Sequence, residues 1–461
     1  MMTPARQSPD DGIIASSAQR VIVGLGVTGL SVARYLARCG ERFAVVDTRP
    51  EPAGLAELRA EQPQVAVFCG EIPQSLLNAA SQLIVSPGLA PDLPFLSEAS
   101  ASGATVIGDA DLFVEAAQAP VIGITGSNAK STVTALVGAM AEAADMNVGV
   151  GGNLGTPALD LLADDRQLYV LELSSFQLER SQSLNLAVAC VLNLTSDHLD
   201  RHGSMPKYHQ AKHRIFRGCR HAVVNSDDPL TIPPGGDGMQ VSAWRPREPD
   251  LHGFGVHRDD EGVEWLSLGF TDLMPVADLA LQGRHNLANA LAALAIGRSA
   301  GLPMPAMLDA LRSFAGLPHR CQLVLERSGV RWINDSKATN VGAAKAAIEG
   351  MGIGRNLILI VGGRGKGDDF KALARPVARH CKRVLLLGET AEQLARDLGE
   401  AAPVQHCATL DEAVLAAQAC AASGDCVLLS PACASFDMFR DYVERGEHFA
   451  AAVRSLSGGV L

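Results

Sequence analysis

The chain has 461 residues, 47% of them hydrophobic, and a formal net charge of −11 at pH 7. This length exceeds what one hydrophobic core normally supports, so we predict a globular protein of about three domains. The acidic balance without a long basic block argues against nucleic-acid binding, and no stretch approaches the ~20 apolar residues that cross a bilayer.

Ten cysteines are scattered along the chain without C-x-x-C spacing. This distribution argues against a disulfide framework or a zinc site and is typical of a reducing compartment. The first twenty residues also lack the apolar segment of a secretion signal. We therefore predict a cytoplasmic protein.

Short β-branched runs alternate with Ala- and Leu-rich helical stretches, which is typical of parallel sheets covered by helices. Prolines and glycines between residues 231 and 262 interrupt this alternation and predict turns and irregular or antiparallel structure. The predicted strands form three series: 21–25, 43–47, 65–69, 83–86 and 105–107; then 121–125, 168–172, 187–194 and 222–225; then 330–334, 356–361, 384–387 and 426–430.

The three series predict an α/β protein with domain boundaries near residues 110 and 317. The N-terminal domain (1–110) and the C-terminal domain (317–461) would be Rossmann-like. The central domain (111–316) would be a P-loop-type ATPase, with a mainly parallel sheet and a small antiparallel part.

A glycine-rich turn, GLGVTG at residues 24–29, follows the first predicted strand, and Asp47 ends the next one. The glycines would let the backbone approach a diphosphate closely, while Asp47 could bind ribose hydroxyls. The diphosphate could belong to NAD or to a UDP-sugar. The glycines could also serve only to pack the helix against the strand.

The most informative motif is GSNAKST at residues 126–132, which follows the apolar run 121–125. Its N–H groups and Lys130 would surround ATP phosphates, and Ser131 would offer a hydroxyl to Mg²⁺. A strict phosphate loop has glycine where Ile124 and Ala129 stand, and Ala129 resists a positive φ. The alternative is an ordinary strand–turn–helix.

Polar side chains follow two further strands of the second series. Glu172 ends the run 168–171, at the edge where open α/β sheets bind ligands, and could hold Mg²⁺ or lie at a helix N-terminus. The run 187–194 leads to a segment that contains His198. Because Mg²⁺ prefers oxygen ligands, the pattern alone favours a hydrogen-bonded loop histidine there.

Two predicted helices of the central domain carry candidate polar residues. Lys212 lies in the helix 208–216, where the pattern alone favours a solvated side chain on the polar face. Asn286 and Asn289 are three residues apart near the start of another helix and so share a face. They could read the edge of a base or tie down the helix start.

In the third series, Asp335 and Lys337 lie where a strand should give way to a helix. They could hold a ribose and a migrating phosphoryl group, or Asp335 could only cap the helix. Further along, Ser435 is predicted to cap a helix from Phe436 onward. Such an N-terminus, with Lys366 nearby on a glycine-rich loop, would suit a carboxylated amino acid.

Taken in order, these motifs resemble those of the Mur ligases from about residue 21 to residue 449. LELSSFQ, NDSKATN and SPACAS are highly specific, whereas the glycine motifs are not. The full series is GLGVTG, GSNAKST, GGNLGTP, LELSSFQ, DHLDRH, AKHRIF, GRHNLANALAA, HR, NDSKATN, VGGRGKG and SPACASFDMF.

Within that family the chain is most similar to ligases that add D-glutamate to UDP-N-acetylmuramoyl-L-alanine. The resemblance implies three domains that bind the UDP substrate, ATP with Mg²⁺, and the amino acid. It implies phosphoryl transfer from ATP to the L-alanyl carboxylate, after which the glutamate amine attacks the acyl phosphate. We also predict a monomer.

The resemblance implies roles residue by residue. The UDP substrate would contact Val27, Thr28, Asp47, Thr48, Arg49, Ser86 and Gly88, with Asn153 and Ser174 on the muramoyl-peptide side. ATP would contact Gly126, Ser127, Asn128, Ala129, Lys130, Ser131, Thr132, Asn289, Arg320 and Asp335. Mg²⁺ would be held by Ser131, Glu172, His198 and Lys212, the last as a carbamate, and glutamate by Lys366, Ser435, Phe436 and Tyr442. The catalytic residues would be Lys130, His198, Lys212 and Lys337.

Three alternatives stay open at this point. A related ligase could use another amino acid, including L-glutamate, because only the resemblance favours the D form. An NAD-dependent dehydrogenase could be built on the first glycine turn. A non-catalytic nucleotide-binding protein would bind ATP without turnover. Family members usually have glycine at position 129, where this chain has Ala129.

Overall fold

The structure is a computed structural model that describes residues 20–153, 155–235, 238–281, 283–365, 367 and 369–456. It contains three sheets, each covered by helices, which confirms the predicted α/β class. The predicted domain boundaries near residues 110 and 317 stay predictions. None of the described helices is long and apolar enough to cross a membrane.

The first sheet is parallel throughout, with strand order β3-β2-β1-β4-β5. Residues 21–23 are fully buried, because helices cover both faces of the sheet. The order reverses between β1 and β4, where such sheets form a ligand-binding crevice. The elements are β1 (Arg20–Val23), α1 (Val27–Arg38), β2 (Phe43–Asp47), α2 (Leu55–Glu61), β3 (Ala66–Cys69), α3 (Gln74–Ala79), β4 (Gln82–Val85), α4 (Pro94–Ala101), β5 (Thr105–Ile107) and α5 (Asp109–Ala116).

The central sheet has nine strands in the order β14-β13-β12-β11-β10-β9-β6-β8-β7. Its elements are β6 (Val121–Thr125), α6 (Lys130–Ala143), β7 (Val148–Gly152), β8 (Leu168–Glu172), α7 (Ser175–Leu178), β9 (Val188–Val191), α8 (Leu199–His202), α9 (Met205–His213), β10 (His221–Asn225), β11 (Gln240–Trp244), β12 (Phe254–Arg258), β13 (Glu264–Leu268), β14 (Thr271–Pro275), α10 (Arg284–Ser299) and α11 (Met304–Ser313).

Only the end of this sheet is antiparallel. β12, β13 and β14 pair in antiparallel fashion because short hairpins join them, whereas the longer connection before β11 lets it pair parallel to β10. The predicted small antiparallel part is therefore confirmed. Its first strand, β12, begins at Phe254, later in the chain than residue 231, where the alternation of β-branched runs and helical stretches is interrupted.

The third sheet has the order β15-β16-β20-β17-β18-β19, with only β15 and β16 antiparallel. Its elements are β15 (Gln322–Arg327), β16 (Val330–Asn334), α12 (Val341–Met351), β17 (Leu357–Gly362), α13 (Ala374–His380), β18 (Cys381–Leu387), α14 (Ala391–Leu398), β19 (Val404–His406), α15 (Leu410–Cys420), β20 (Cys426–Leu429) and α16 (Tyr442–Ser455).

One predicted helix start in this domain is wrong. Ser435 does not cap a helix, because residues 435–441 form turns and α16 begins at Tyr442. Asp441 caps α16 by accepting from the Glu444 N–H at 2.9 Å, and the Glu444 carboxylate accepts from the Arg440 N–H at 2.6 Å. This pair satisfies N–H groups at the helix start, which Ser435 is too far upstream to reach.

Candidate active site

A cleft of about 420 Å³ lies at the carboxyl edge of the central sheet, and residues of the third domain cover it. Parallel strands end at one edge of a sheet, so the polar groups that follow them converge there. From the central domain the cleft is lined by Ser127, Asn128, Ala129, Lys130, Thr132, Asn153, Glu172, His198, Asn286 and Asn289. From the third domain it is lined by Arg320, Asp335, Lys337, Thr339 and Asn340.

The phosphate-loop motif forms the turn between β6 and α6. Ala129 adopts the left-handed conformation, with φ 67° and ψ −7°, immediately before α6 begins at Lys130. The left-handed conformation costs an alanine roughly 1–2 kcal/mol relative to the right-handed one. This cost agrees with the sequence analysis, in which a strict phosphate loop has glycine at this position. The backbone is held by Asn193, whose carbonyl accepts from the Ser127 N–H at 3.0 Å and whose side chain accepts from the Asn128 N–H at 2.9 Å.

Two lysines converge on one carbonyl of this loop. Lys130 Nζ donates to the Gly126 carbonyl at 2.9 Å, and Lys212 Nζ donates to the same oxygen at 2.8 Å. Lys212 is 1% exposed, so the interpretation of a solvated side chain on a polar helix face is wrong. Burial, reinforced by the nearby positive charge of Lys130, lowers the pKa of Lys212 well below its usual value. Burial also lowers the pKa of Lys130.

Glu172 ends β8 and is buried beside the start of α6. Its carboxylate accepts from the Ser131 hydroxyl at 2.5 Å and from the Asn153 amide at 2.6 Å. Arg320, from the third domain, donates to the same Ser131 hydroxyl at 2.6 Å. Among the described residues, no group of three or more His, Cys, Asp or Glu side chains is arranged to hold a metal ion.

His198 lies at the same cleft as Lys130 and Glu172. It precedes α8 in the left-handed conformation, with φ 53° and ψ 32°. Its ring contacts Phe176 edge-on, with 4.9 Å between the ring centroids. The structure thus brings the three residues together, and their roles towards metal and phosphate stay predictions.

Asp335 and Lys337 reach the cleft from the end of β16. The Asp335 carboxylate accepts from the Ser430 hydroxyl at 2.9 Å and from the Cys321 N–H at 3.2 Å. Burial raises its pKa to about 7. Lys337 Nζ lies 3.8 Å from the centre of the Tyr442 ring.

Sequence reasoning missed the role of Asn340. Its side chain caps α12, accepting from the Ala343 N–H at 2.8 Å, which excludes Asp335 as the cap of that helix. Its amide also donates at 3.3 Å to the side chains of Asn128 and Asp197 across the cleft. The segment's composition indicated a helix cap, but only the fold shows that this cap contacts the phosphate loop.

Asn286 and Asn289 both line the cleft from the first turns of α10. The Asn289 amide donates to the Asn286 side-chain oxygen at 3.1 Å, and both residues are buried. The N-cap of α10 is Gly283, so the two asparagines do not cap the helix.

A second groove, of about 400 Å³, lies at the carboxyl edge of the first sheet. It brings together all seven residues matched to the uridine diphosphate region: Val27, Thr28, Asp47, Thr48, Arg49, Ser86 and Gly88. Asn153 and Ser174 lie outside it. Asn153 lines the larger cleft, and Ser174 caps α7 in a reciprocal pair with Gln177.

The Asp47 carboxylate stabilises the first glycine turn, residues 24–29. Its carboxylate accepts from the Leu25 N–H at 2.7 Å and from the Arg49 N–H at 2.8 Å, and it forms an ion pair with the Arg49 guanidinium at 2.8 Å. Burial alone would raise the pKa of Asp47, but the hydrogen bonds from Arg49 and Leu25 outweigh burial and lower the pKa.

The residues matched to the glutamate pocket are only partly brought together. Ser435 is buried, Phe436 is 62% exposed and Tyr442 lies under Lys337, while Lys366 lies outside the described residues. Paired backbone hydrogen bonds between Arg364 and Ala434, at 2.9 and 3.0 Å, show that the segment after β17 lies next to the segment after β20.

Arg445 is a second residue that sequence reasoning missed. It is 3% exposed and donates to the Ser336 carbonyl at 2.8 Å and to the Cys433 carbonyl at 3.2 Å. It thereby ties the segment after β16 to the segment after β20. A single arginine in a helix gives no sequence signal of such burial, because arginines on helices are usually solvated.

Family models match most of the chain. They are the Mur ligase MurD-like N-terminal domain at residues 18–108, the Mur ligase middle domain at 124–297 and the Mur ligase glutamate ligase domain at 319–433. The UDP-N-acetylmuramoylalanine–D-glutamate ligase of Pseudomonas aeruginosa is 57% identical over 96% of this chain and 100% of that protein. The protein of the same name from Marinobacter nauticus is 50% identical over 96% of this chain and 100% of its own length.

Solved structures agree on the fold. MurF from Acinetobacter baumannii superposes with a TM-score of 0.59 at 16% identity, covering 96% of this chain and 92% of that one. The UDP-N-acetylmuramate-alanine ligase MurC from Thermotoga maritima gives a TM-score of 0.58 at 18% identity, with 95% and 99% covered. At these identities the likeness concerns the fold alone.

Proposed function

Because the chain belongs to the Mur ligase family, we propose that it is an ATP-dependent ligase that adds D-glutamate to UDP-N-acetylmuramoyl-L-alanine in peptidoglycan precursor synthesis. ADP and phosphate are the other products. The 57% identity to a ligase of that name supports D-glutamate over other amino acids. The observation that carries the chemistry is the convergence of Lys130, Glu172, His198, Arg320 and Lys337 on one cleft.

In this proposal each domain binds one substrate. The groove of the first sheet takes the uridine diphosphate, and Arg49, whose side chain is 54% exposed, offers it a positive charge. The central domain takes ATP. The third domain takes glutamate, through Lys366, Ser435, Phe436 and Tyr442.

The hydrogen bonds of Lys130 support ATP binding at the phosphate loop, because this side chain can exchange its carbonyl acceptors for a phosphoryl oxygen. Lys130 Nζ now donates to two neutral carbonyls, those of Gly126 and Ser127. An ionised phosphoryl oxygen is a stronger acceptor than a carbonyl, so Lys130 would turn to it. Asn289, Asp335 and the N–H groups of residues 126–132 would complete the nucleotide site.

The residues present fit a magnesium ion. Glu172 supplies a carboxylate and Ser131 a hydroxyl, 2.5 Å apart, and His198 lines the same cleft. The lowered pKa of Lys212 favours its neutral amine, which is the form that can add carbon dioxide and become an anionic carbamate. When bound, Mg²⁺ would neutralise charge on the transferring phosphoryl group.

Amide synthesis from a carboxylate needs an activated leaving group. Lys130, Lys337 and Arg320 would stabilise the charge of the phosphoryl group as it passes from ATP to the L-alanyl carboxylate. The neutral glutamate amine would then attack the acyl carbon, so that the amide C–N bond forms as the C–O bond to phosphate breaks. Inorganic phosphate leaves and the amine proton passes to solvent. The contacts of Asn340 with Asn128 and of Arg320 with Ser131 hold the third domain over the cleft and would limit hydrolysis by water.

The deciding experiment measures phosphate release by the full chain with Mg²⁺, ATP and UDP-N-acetylmuramoyl-L-alanine. D-glutamate should be required, while L-glutamate, D-alanine and diaminopimelate should give only background. A preference for another amino acid would assign the chain to a related ligase. Nucleotide binding without phosphate release would indicate a non-catalytic protein, and oxidation of reduced nicotinamide would indicate the dehydrogenase.

We also propose that the protein works as a monomer in the cytoplasm, where the ATP that it consumes is made. Size-exclusion chromatography with light scattering tests the monomer, since a dimer would double the mass of 48.3 kDa. Cell fractionation tests the compartment.

A further inference from the structure

Helix α8 connects the two grooves of the molecule. It is a single turn that begins immediately after His198 and carries Arg201. The Arg201 N–H donates to the His198 carbonyl at 3.1 Å, so the two residues belong to one hydrogen-bonded turn. His198 lines the nucleotide cleft, whereas the guanidinium of Arg201 contacts the loop after β4.

Arg201 holds three consecutive carbonyls of that loop. Its guanidinium donates to the Leu89 carbonyl at 2.5 Å and to the Pro87 and Gly88 carbonyls at 3.4 Å. The same three residues line the groove of the first sheet. The Arg201 side chain is 14% exposed and pairs with Glu179, so its position is tightly defined.

Phe176 provides a second connection between Arg201 and His198. The Arg201 guanidinium carbon lies 4.9 Å from the centre of the Phe176 ring, and that ring meets the His198 imidazole at 63°, with 4.9 Å between the ring centroids. His198 has a left-handed backbone, a conformation that persists only where the surroundings hold it. Arg201 and Phe176 are part of those surroundings.

We propose that Arg201 is a positioning residue that couples occupation of the first groove to the placement of His198 in the nucleotide cleft. The proposal rests on the substrates of the proposed function. A UDP-linked substrate that fixes the loop 86–89 also fixes the carbonyls that Arg201 holds, and through α8 and Phe176 it fixes His198. Each ligand should therefore tighten the binding of the other by the same factor.

Arg180 offers a matched control. It is 8% exposed and donates to the same Leu89 carbonyl, but it lies beyond the end of α7 and is not part of α8. Removing Arg180 should weaken the hold on the loop and leave the connection to His198 in place.

The experiment is calorimetric titration of Mg·ADP into the full chain, with and without saturating UDP-N-acetylmuramoyl-L-alanine. In the wild type the UDP substrate should tighten Mg·ADP binding by about fivefold or more. In Arg201→Ala this factor should fall to about one, with an intermediate value in Arg201→Lys. Arg180→Ala should weaken UDP-substrate binding and keep the wild-type factor.

Phe176→Leu is a second variant that keeps the test decisive if Arg201→Ala misfolds. It leaves Arg201 bound to the loop carbonyls and should still lower the factor by which the UDP substrate tightens Mg·ADP binding. A wild-type factor of one, or an unchanged factor in Arg201→Ala and Phe176→Leu, overturns the coupling while the ligase assignment stands. Failure of the wild type to bind the UDP substrate overturns both proposals.

Discussion

Two strand–turn–helix junctions of similar design behave differently in this molecule. In the first, residues 24–29, the polar groups bind one another: Asp47 accepts from Leu25 and Arg49. In the second, residues 126–132, Lys130 and Lys212 share one carbonyl and Ala129 holds a left-handed backbone. The first junction is internally satisfied, whereas the second holds two lysine amines on one uncharged carbonyl beside a strained residue.

The two junctions serve different properties of the protein. Lysine amines that share an uncharged acceptor contribute little to stability, because burial disfavours their charged form, but a charged Lys130 gains strongly from an anionic ligand. Well-paired groups and close backbone packing contribute to stability directly. Substitutions in the second junction should therefore change activity most, and those in the first should change stability most.

The largest effect is expected from Lys130→Ala. Phosphate release with UDP-N-acetylmuramoyl-L-alanine and D-glutamate should fall by about 10³-fold, because a positive charge near the phosphoryl group is lost. The free energy of unfolding should change by only about 1 kcal/mol, since the lost hydrogen bonds are offset by the desolvation of a partly buried cation. Lys207→Ala, at an exposed lysine of α9, is the control. Unchanged turnover in Lys130→Ala would refute the assignment of the cleft.

Gly29→Ala should show the opposite behaviour and destabilise the first domain by about 3 kcal/mol. A Cβ at Gly29 would lie 1.9 Å from the Gly24 carbonyl oxygen, so helix and strand must move apart. Hydrogen exchange of peptides from residues 20–107 measures this loss locally.

Gly26→Ala is the matched control, because a Cβ at Gly26 meets no atom within 4 Å. Its cost should stay below about 1 kcal/mol, the effect of alanine at a helix N-cap. Equal exchange in the two variants would show that close packing does not explain the glycine at position 29.

Ala129→Gly should stabilise the protein by about 0.5 kcal/mol, because relief of the left-handed conformation exceeds the added entropy of the unfolded chain. Ala135→Gly, the same change within the helix α6, should instead destabilise by about 1 kcal/mol. Urea unfolding followed by circular dichroism compares the two variants. A loss of stability in both would mean that the turn carries no strain at Ala129.

A pH dependence of stability is expected at Asp47. Its folded-state pKa is lowered below 3.8, so the ionised carboxylate contributes stability above about pH 4 that is lost as pH falls through the folded pKa. Asp47→Asn should therefore be less stable than the wild type by about 1 kcal/mol at pH 6, and the gap should narrow towards pH 3. Urea unfolding at both pH values measures the gap, and Asp92→Asn, an exposed aspartate, is the control. If the stability difference between the wild type and Asp47→Asn is the same at both pH values, the ion pair between Asp47 and Arg49 does not stabilise the protein.

Much of the fold followed from local patterns. Buried parallel strands are nearly continuous apolar runs, so each predicted strand lies within a few residues of an observed one, whereas β7, β11–β15 and β19 had no predicted strand. The helix start at Ser435 was wrong because several serines and aspartates can cap a helix, and the choice of Asp441 depends on the path of the chain from β20 to α16. The interpretation of Lys212 as a solvated side chain, made from the helix pattern alone, was wrong for a related reason, since an amphipathic pattern does not reveal what covers the polar face.

The three α/β series, the order of the motifs and the side-chain types at each strand end could be read from the amino-acid sequence, because they depend on neighbours along the chain. Which of those side chains meet follows from the folded arrangement alone. Asn340 on Asn128, Arg320 on Ser131 and Arg201 on the loop of the first groove each join residues more than 100 positions apart. Such contacts depend on how separate cores pack together, and no local periodicity encodes that packing.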